Sequence, residues 1–178
     1  MSDIIVLPGL GGSGEGHWQT LWEQQDPRMR RFQPASWDRP ELTDWIAALD
    51  REIGRAKTPP ILIAHSLACQ FIAHWAVSAK TRVLGAFLVA VPDPTGDVYL
   101  GGAPSFANPP RQRLPFPSLL VTSTDDPYGP FDYAKESASV WGSEFIDVGP
   151  LGHINSASGI GDWPEGQALF RRFSAGLG

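Results

Sequence analysis

The sequence predicts an α/β protein in which a mostly parallel sheet lies between two layers of helices, forming a three-layer α/β/α sandwich. Short apolar runs alternate along the chain with longer segments of helical periodicity. Because the runs lack apolar–polar alternation, they are typical of strands that helices cover on both faces. The predicted strands are Ile4 to Leu7, Ile61 to Ala64, Val83 to Val91, Ser118 to Ser123 and Glu144 to Val148.

The clearest predicted helix follows Pro40, where apolar side chains recur at the spacing of one helical face. These side chains are Leu42, Trp45, Ile46, Leu49 and Ile53. A second helix is expected from Leu67 to Ala79, directly after a predicted strand. Strand followed by helix is the pattern that builds a parallel sheet.

The last predicted helix begins at the sequence DWPEG. Asp162 can cap its first turn, Pro164 takes an early position that needs no N–H donor, and Glu165 can complete a capping box. Phe170 and Phe173 should then face the core.

Residues 92–117 contain Gly101, Gly102 and several prolines, with little periodicity. This composition predicts a long surface excursion within one domain, and such excursions often line a site. Together with the 7 tryptophans of the chain, it suggests an apolar pocket.

Length and composition favour a single soluble domain over residues 1–178. The chain has a net charge of −5 and one cysteine, Cys69. The negative charge argues against nucleic acid as a partner, and a lone cysteine suits the cytoplasm, where disulfides are rare. No apolar stretch approaches the roughly 18 residues of a membrane span, and no secretory signal precedes the first strand, so we expect no membrane insertion.

The sequence IAHSLA joins a predicted strand to a predicted helix, with Ser66 in the turn between them. A serine on a sharp strand-to-helix turn, flanked by small residues, is typical of the nucleophile elbow G-x-S-x-G. Here Ala64 and Ala68 stand where the motif has glycine. Since serine is also a common helix cap, this stretch alone leaves both interpretations open.

A nucleophilic serine needs a base and an acid that orients the base, in the chain order Ser, Asp or Glu, His. Asp125 and Asp126 directly follow one predicted strand, and His153 lies in a glycine-flanked loop after the next. This order favours a catalytic triad, and from these residues alone either aspartate could be the acid. Taken separately, Asp-Asp-Pro is also common in turns.

The remaining histidines are weaker candidates. His74 lies within an amphipathic helix and should be structural, while His65 adjoins the elbow and should shape it. His17, before Trp18, could reach the site or simply pack against the core.

The glycine-rich sequence VLPGLGGSGEGHW after the first strand should supply half of an oxyanion hole. We expect the backbone N–H groups of Leu10 and Leu67 to be its donors. A nucleotide site is the alternative, but the sequence lacks G-x-x-x-x-G-K-[ST], and RFQPASW has no acid to bind a ribose. With no second cysteine and no histidine pair at ligand spacing, we expect no metal and no cofactor.

The chain resembles the small serine hydrolases of the α/β-hydrolase fold that are related to retinoblastoma-binding protein 9 and to bacterial YdeN-like proteins. The resemblance rests on LPGLGGSGEGHW, IAHSLA, STDDPYGP and GHINSASGIGDWPEG, and it spans nearly the whole chain. It implies a compact α/β-hydrolase fold with the nucleophile at Ser66 and the base at His153. It also implies that the acid is the second aspartate, Asp126.

The expected function is therefore that of a serine hydrolase, an esterase that cleaves small carboxylic esters through an acyl-enzyme. The alternative is a catalytically weak protein-binding module on a hydrolase scaffold, since the member that gives the family its name is also described as a protein-binding partner. The first function requires a small-molecule ester substrate, and the second adds a protein partner.

Overall fold

The computed structural model describes residues 2–96 and 102–177. In this part of the chain, six strands form one sheet in the order β2-β1-β3-β4-β5-β6, and every neighbouring pair is parallel. The strands are β1 (Ile4–Leu7), β2 (Met29–Arg31), β3 (Ile61–His65), β4 (Gly85–Val89), β5 (Ser118–Thr122) and β6 (Glu144–Asp147).

Helices cover both faces of the sheet, which confirms the three-layer prediction. They are α1 (Trp18–Gln25), α2 (Leu42–Gly54), α3 (Leu67–Ser78), α4 (Phe131–Trp141) and α5 (Pro164–Ala175). Alternate residues of a strand point to opposite faces. In β3, Leu62 belongs to a buried cluster that includes residues of α2, α3 and α4, whereas Ile63 belongs to a cluster that includes residues of α1 and α5. Each face of the sheet therefore has its own apolar core.

The edge strand β2 is absent from the sequence prediction because it has no apolar run. Its sequence is MRR, and all three residues are only partly buried. Arg30 donates to Glu52 over 2.6 Å, and Arg31 donates to Glu23 over 3.0 Å. Two of its three residues therefore bind the neighbouring helices through ion pairs, and the sequence lacks the continuous apolar run that predicts a buried strand.

Helix α5 begins at Pro164, as predicted, but neither Asp162 nor Glu165 caps it. The N-cap residue is Trp163, with φ 47° and ψ 71° and no capping side-chain hydrogen bond. Its indole packs 5.3 Å from the ring of Trp18, and the Asp162 carbonyl accepts from Trp22 over 2.6 Å. Burial of aromatic rings, rather than a cap, fixes the chain where this helix begins.

The predicted excursion between β4 and β5 is only partly described, because residues 97–101, including Gly101, lie outside the described residues. The described part contains a 3₁₀ turn at Pro104–Phe106, and Phe106 is buried in the core. Within residues 2–96 and 102–177, no helix combines the length and the apolar composition that crossing a membrane requires.

Candidate active site

Three predicted site residues follow three strands of the sheet at the same edge. Ser66 comes directly after β3, Asp126 follows β5, and His153 follows β6. Because all strands are parallel, their carboxyl ends meet at one edge, which is where ligands bind in open α/β sheets. The fold thus brings together side chains that lie up to 87 residues apart in the sequence.

Ser66 lies in a strained turn between β3 and α3. Its φ of 56° and ψ of −126° fall outside the regions that L-residues favour. It occupies the N-cap position of α3 but makes no capping side-chain hydrogen bond. The capping interpretation is therefore wrong, and the side chain is free for another partner. Ala64 and Ala68, two positions before and after Ser66, are fully buried.

Ser66, His153 and Asp126 form one chain of hydrogen bonds. The distance from His153 Nε2 to Ser66 Oγ is 2.8 Å, and His153 Nδ1 lies 2.9 Å from both carboxylate oxygens of Asp126. A carboxylate only accepts, so Nδ1 carries the proton and Nε2 of the neutral ring is left to accept from the serine hydroxyl. The Asp126 side chain is only 1% exposed, so water hardly competes for this pairing.

The neighbouring Asp125 has a different set of partners. Its Oδ1 accepts from the Ser123 hydroxyl over 2.8 Å and from the Gly152 N–H over 2.7 Å. These bonds, that from Ser123 foremost, hold the pKa of the exposed Asp125 carboxyl below its usual value. Asp125 thus binds the main chain of the His153 loop, whereas the imidazole is bound by Asp126.

A cavity of about 180 Å³ opens beside the Ser66 hydroxyl. Its lining residues are Leu10, Ser66, Leu67, Pro92, Ala103, Tyr128, His153 and Asn155. The two predicted oxyanion donors, Leu10 and Leu67, thus lie on the cavity wall next to Ser66. A Cβ atom at Gly9 would lie 2.9 Å from Ser66 Cβ, so only glycine lets the Leu10 loop approach the elbow this closely.

Sequence reasoning did not single out Tyr128 or Asn155. The Tyr128 ring lies 4.7 Å from the His153 ring, and its N–H donates to Asp126 Oδ1 over 2.9 Å. The Asn155 side chain accepts from the Ala157 N–H over 3.0 Å and lines the cavity. Each lies within two residues of a predicted triad member, and this closeness in the sequence is the one signal that could have identified them.

His17 and His74 lie outside the hydrogen-bonded chain. His74 Nε2 lies 3.3 Å from the Phe106 carbonyl oxygen, which agrees with a structural role. His17 caps α1, since its Nδ1 accepts from the Gln19 N–H over 3.2 Å, and its ring packs 4.7 Å from that of His65. Desolvation, aided by the charge of Arg31, lowers the pKa of His17 from 6.5 to about 4.

The low pKa of His17 predicts a loss of stability in mild acid. Between pH 6.5 and about 4 the unfolded chain binds a proton at this residue that the folded protein excludes, so the free energy of unfolding falls as the pH falls. His17→Asn keeps a capping oxygen but does not titrate. We expect the wild type to lose about 2 kcal/mol more than His17→Asn between pH 7 and pH 5, measured by urea denaturation. Equal losses would contradict this account.

No group of three or more His, Cys, Asp or Glu side chains within residues 2–96 and 102–177 is arranged to hold a metal ion.

Comparison with known proteins places the chain in a family. No curated protein sequence matches it. A crystal structure described as a YdeN-like hydrolase from Pectobacterium atrosepticum is 31% identical, with a TM-score of 0.88 over 98% of this chain and 91% of that one. The ydeN gene product of B. subtilis is 16% identical, with a TM-score of 0.75 over 98% and 100% of the chains. Est1E from Butyrivibrio proteoclasticus, solved with ferulic acid, is 11% identical, with a TM-score of 0.71 over 98% and 90%.

The two matches below 25% identity show the shared fold, and the family is shown by sequence. The model of the family described as "Serine hydrolase" matches residues 4–172, nearly the whole chain. With the α/β-hydrolase fold and the YdeN-like hydrolase as a structural relative, the chain belongs to the serine hydrolase family.

Proposed function

We propose that this serine hydrolase cleaves small carboxylic esters, with Ser66 as the nucleophile, His153 as the general base and Asp126 as the residue that orients the base. The observation that carries the proposal is the continuous hydrogen-bonded chain from Ser66 Oγ through the His153 ring to Asp126, with bonds of 2.8 and 2.9 Å. Its members follow three separate strands, and Ser66 and His153 line one cavity. A helix cap or a buried structural histidine requires no such arrangement.

In the first half of the reaction, Ser66 Oγ attacks the ester carbonyl carbon while His153 Nε2 accepts the hydroxyl proton. The charge that develops on the carbonyl oxygen is stabilised by the N–H groups of Leu10 and Leu67. The positive end of the α3 dipole points at the same oxygen. His153 then returns its proton to the departing alcohol, which leaves an acyl group on Ser66.

In the second half, water replaces the alcohol. His153 accepts a proton from the water as its oxygen attacks the acyl carbon, and then returns that proton to Ser66 Oγ when the carboxylic acid leaves. Asp126 remains a carboxylate throughout and stabilises the imidazolium that forms in each half.

The cavity favours a small acyl group. Its volume of about 180 Å³ holds a short acyl chain, and Leu10, Leu67, Pro92 and Ala103 supply the apolar part of its wall. Apolar walls bind an acyl chain by removing its surface from water, at roughly 25 cal/mol per Å². We therefore propose short-chain esters as the preferred substrates within the class.

A fluorophosphonate probe tests the nucleophile directly. Such probes phosphonylate activated serines, so we expect one labelled peptide, containing Ser66, and turnover of p-nitrophenyl acetate or butyrate by the same preparation. Heat-denatured protein is the control, because a hydroxyl without its base is not activated. A folded protein that neither takes up the probe nor hydrolyses the esters would favour the binding-module alternative.

A further inference from the structure

His65 is the last residue of β3 and directly precedes Ser66. Its side chain is buried, with 5% of the residue exposed, and its Nε2 lies 2.9 Å from the main-chain carbonyl oxygen of His153. A carbonyl only accepts, so Nε2 carries a proton and donates it. Burial, with the neighbouring His17, keeps the pKa of His65 well below its ordinary value, so the ring is neutral and that proton is its only one.

The loop that carries His153 has an unusual backbone that depends on contacts from outside. Gly152 and Ile154, on either side of His153, have positive φ angles of 56° and 46°. For an isoleucine this conformation is strained, and such strain persists only where surrounding contacts hold the chain.

Hydrogen bonds from other segments of the chain hold the main chain of residues 151–154. The Ser123 hydroxyl oxygen accepts from the Leu151 N–H over 2.8 Å, and Asp125 accepts from the Gly152 N–H over 2.7 Å. On the other side of the loop, Trp18 Nε1 donates to the Ile154 carbonyl over 2.9 Å. A further bond, from His65 Nε2, reaches the main-chain carbonyl of His153 itself.

We propose that His65 is a positioning residue whose Nε2–H holds the His153 carbonyl and so keeps the imidazole within reach of the Ser66 hydroxyl. This inference rests on the proposed function. The nucleophile segment and the base are then joined twice, once through the Ser66 and His153 side chains and once through the His65 side chain and the His153 main chain. A displacement of the base by about 1 Å reduces turnover about a hundredfold.

Two substitutions of similar length separate the hydrogen bond from the packing. Gln at position 65 offers an N–H donor to the carbonyl, and Met fills similar space without one. We expect His65→Met to lower kcat for p-nitrophenyl acetate about a hundredfold, with KM within about twofold of the wild-type value. The kcat of His65→Gln should be at least about tenfold higher than that of His65→Met. His74→Met is the matched control, since it removes the comparable bond from His74 to the Phe106 carbonyl and should leave kcat unchanged.

Equal kcat values for His65→Gln and His65→Met would overturn the proposal, because packing and not the donor would then matter. Thermal unfolding shows whether each variant is folded. If His65→Met does not fold, the kcat of His65→Gln alone tests the proposal. A folded His65→Gln protein whose kcat is about a hundredfold below the wild type overturns the proposal. A kcat within about tenfold of the wild type supports it.

A second measurement does not depend on turnover. The proton on His153 Nδ1, bonded to Asp126, should give a downfield ¹H NMR signal that is assigned by its loss in His153→Ala. We expect the signal to broaden or disappear in His65→Met and to persist in His65→Gln and His74→Met. An unchanged signal in His65→Met refutes the role of His65, whereas absence of ester turnover in the wild type refutes the proposed function, so the two failures are distinguishable.

Discussion

We expect the Ser66→Ala protein to show no p-nitrophenyl ester hydrolysis above background and no fluorophosphonate labelling. Loss of the nucleophile in a triad costs on the order of 10⁶-fold in kcat, because the remaining groups have nothing to activate. The melting temperature should stay within a few degrees of the wild type, since the Ser66 hydroxyl binds the His153 ring and fills no core space. Initial rates, probe labelling and a thermal scan on the same preparations test all three expectations.

Ser156→Ala is the control for this experiment. Ser156 is an exposed serine in the loop after His153, and its loss should leave both turnover and labelling intact. Undiminished turnover in Ser66→Ala would mean that another residue attacks the ester, and the proposed mechanism would be wrong.

The second large effect distinguishes the two adjacent aspartates. Asp126→Asn should lower kcat/KM about a thousandfold or more, because an amide nitrogen can donate to His153 Nδ1 and so favour the tautomer that cannot accept from Ser66. Asp125→Asn should lose less than about tenfold, since its amide oxygen can still accept from the Gly152 N–H. Steady-state kinetics on one short-chain ester measures both. The reverse ranking would assign the orienting role to Asp125.

Local sequence patterns could not predict which of these two aspartates faces His153. Both lie in the loop after β5, and local patterns cannot tell which one turns toward a histidine 27 or 28 residues further along. The resemblance to known hydrolases pointed to Asp126, and the turn after β5 directs Asp126 to the imidazole and Asp125 to the backbone of the next loop. The two aspartates have the same chemistry, and only the folded backbone gives them different partners.

A physical reason also separates the parts of the fold that the sequence predicts from the parts that it does not. Strands buried on both faces, such as β3 and β5, were predictable because burial demands continuous apolar sequence. The polar edge strand β2 was not, because its arginines are matched by glutamates on helices that only the folded chain brings near. The contact between His65 and the His153 carbonyl could not be predicted from the sequence for the same reason. It joins residues 88 positions apart through a main-chain atom, and no side-chain pattern encodes such a contact.

Because Ser66 has a positive φ, the residue that would be most stable at this position differs from the residue that the proposed reaction requires. A glycine would adopt φ 56° and ψ −126° without the roughly 1–3 kcal/mol that a strained L-residue costs. Selection for heat resistance alone would therefore favour glycine at this position, and glycine has no hydroxyl. An engineering campaign ranked only by melting temperature would therefore drift toward folded proteins that lack the proposed nucleophile.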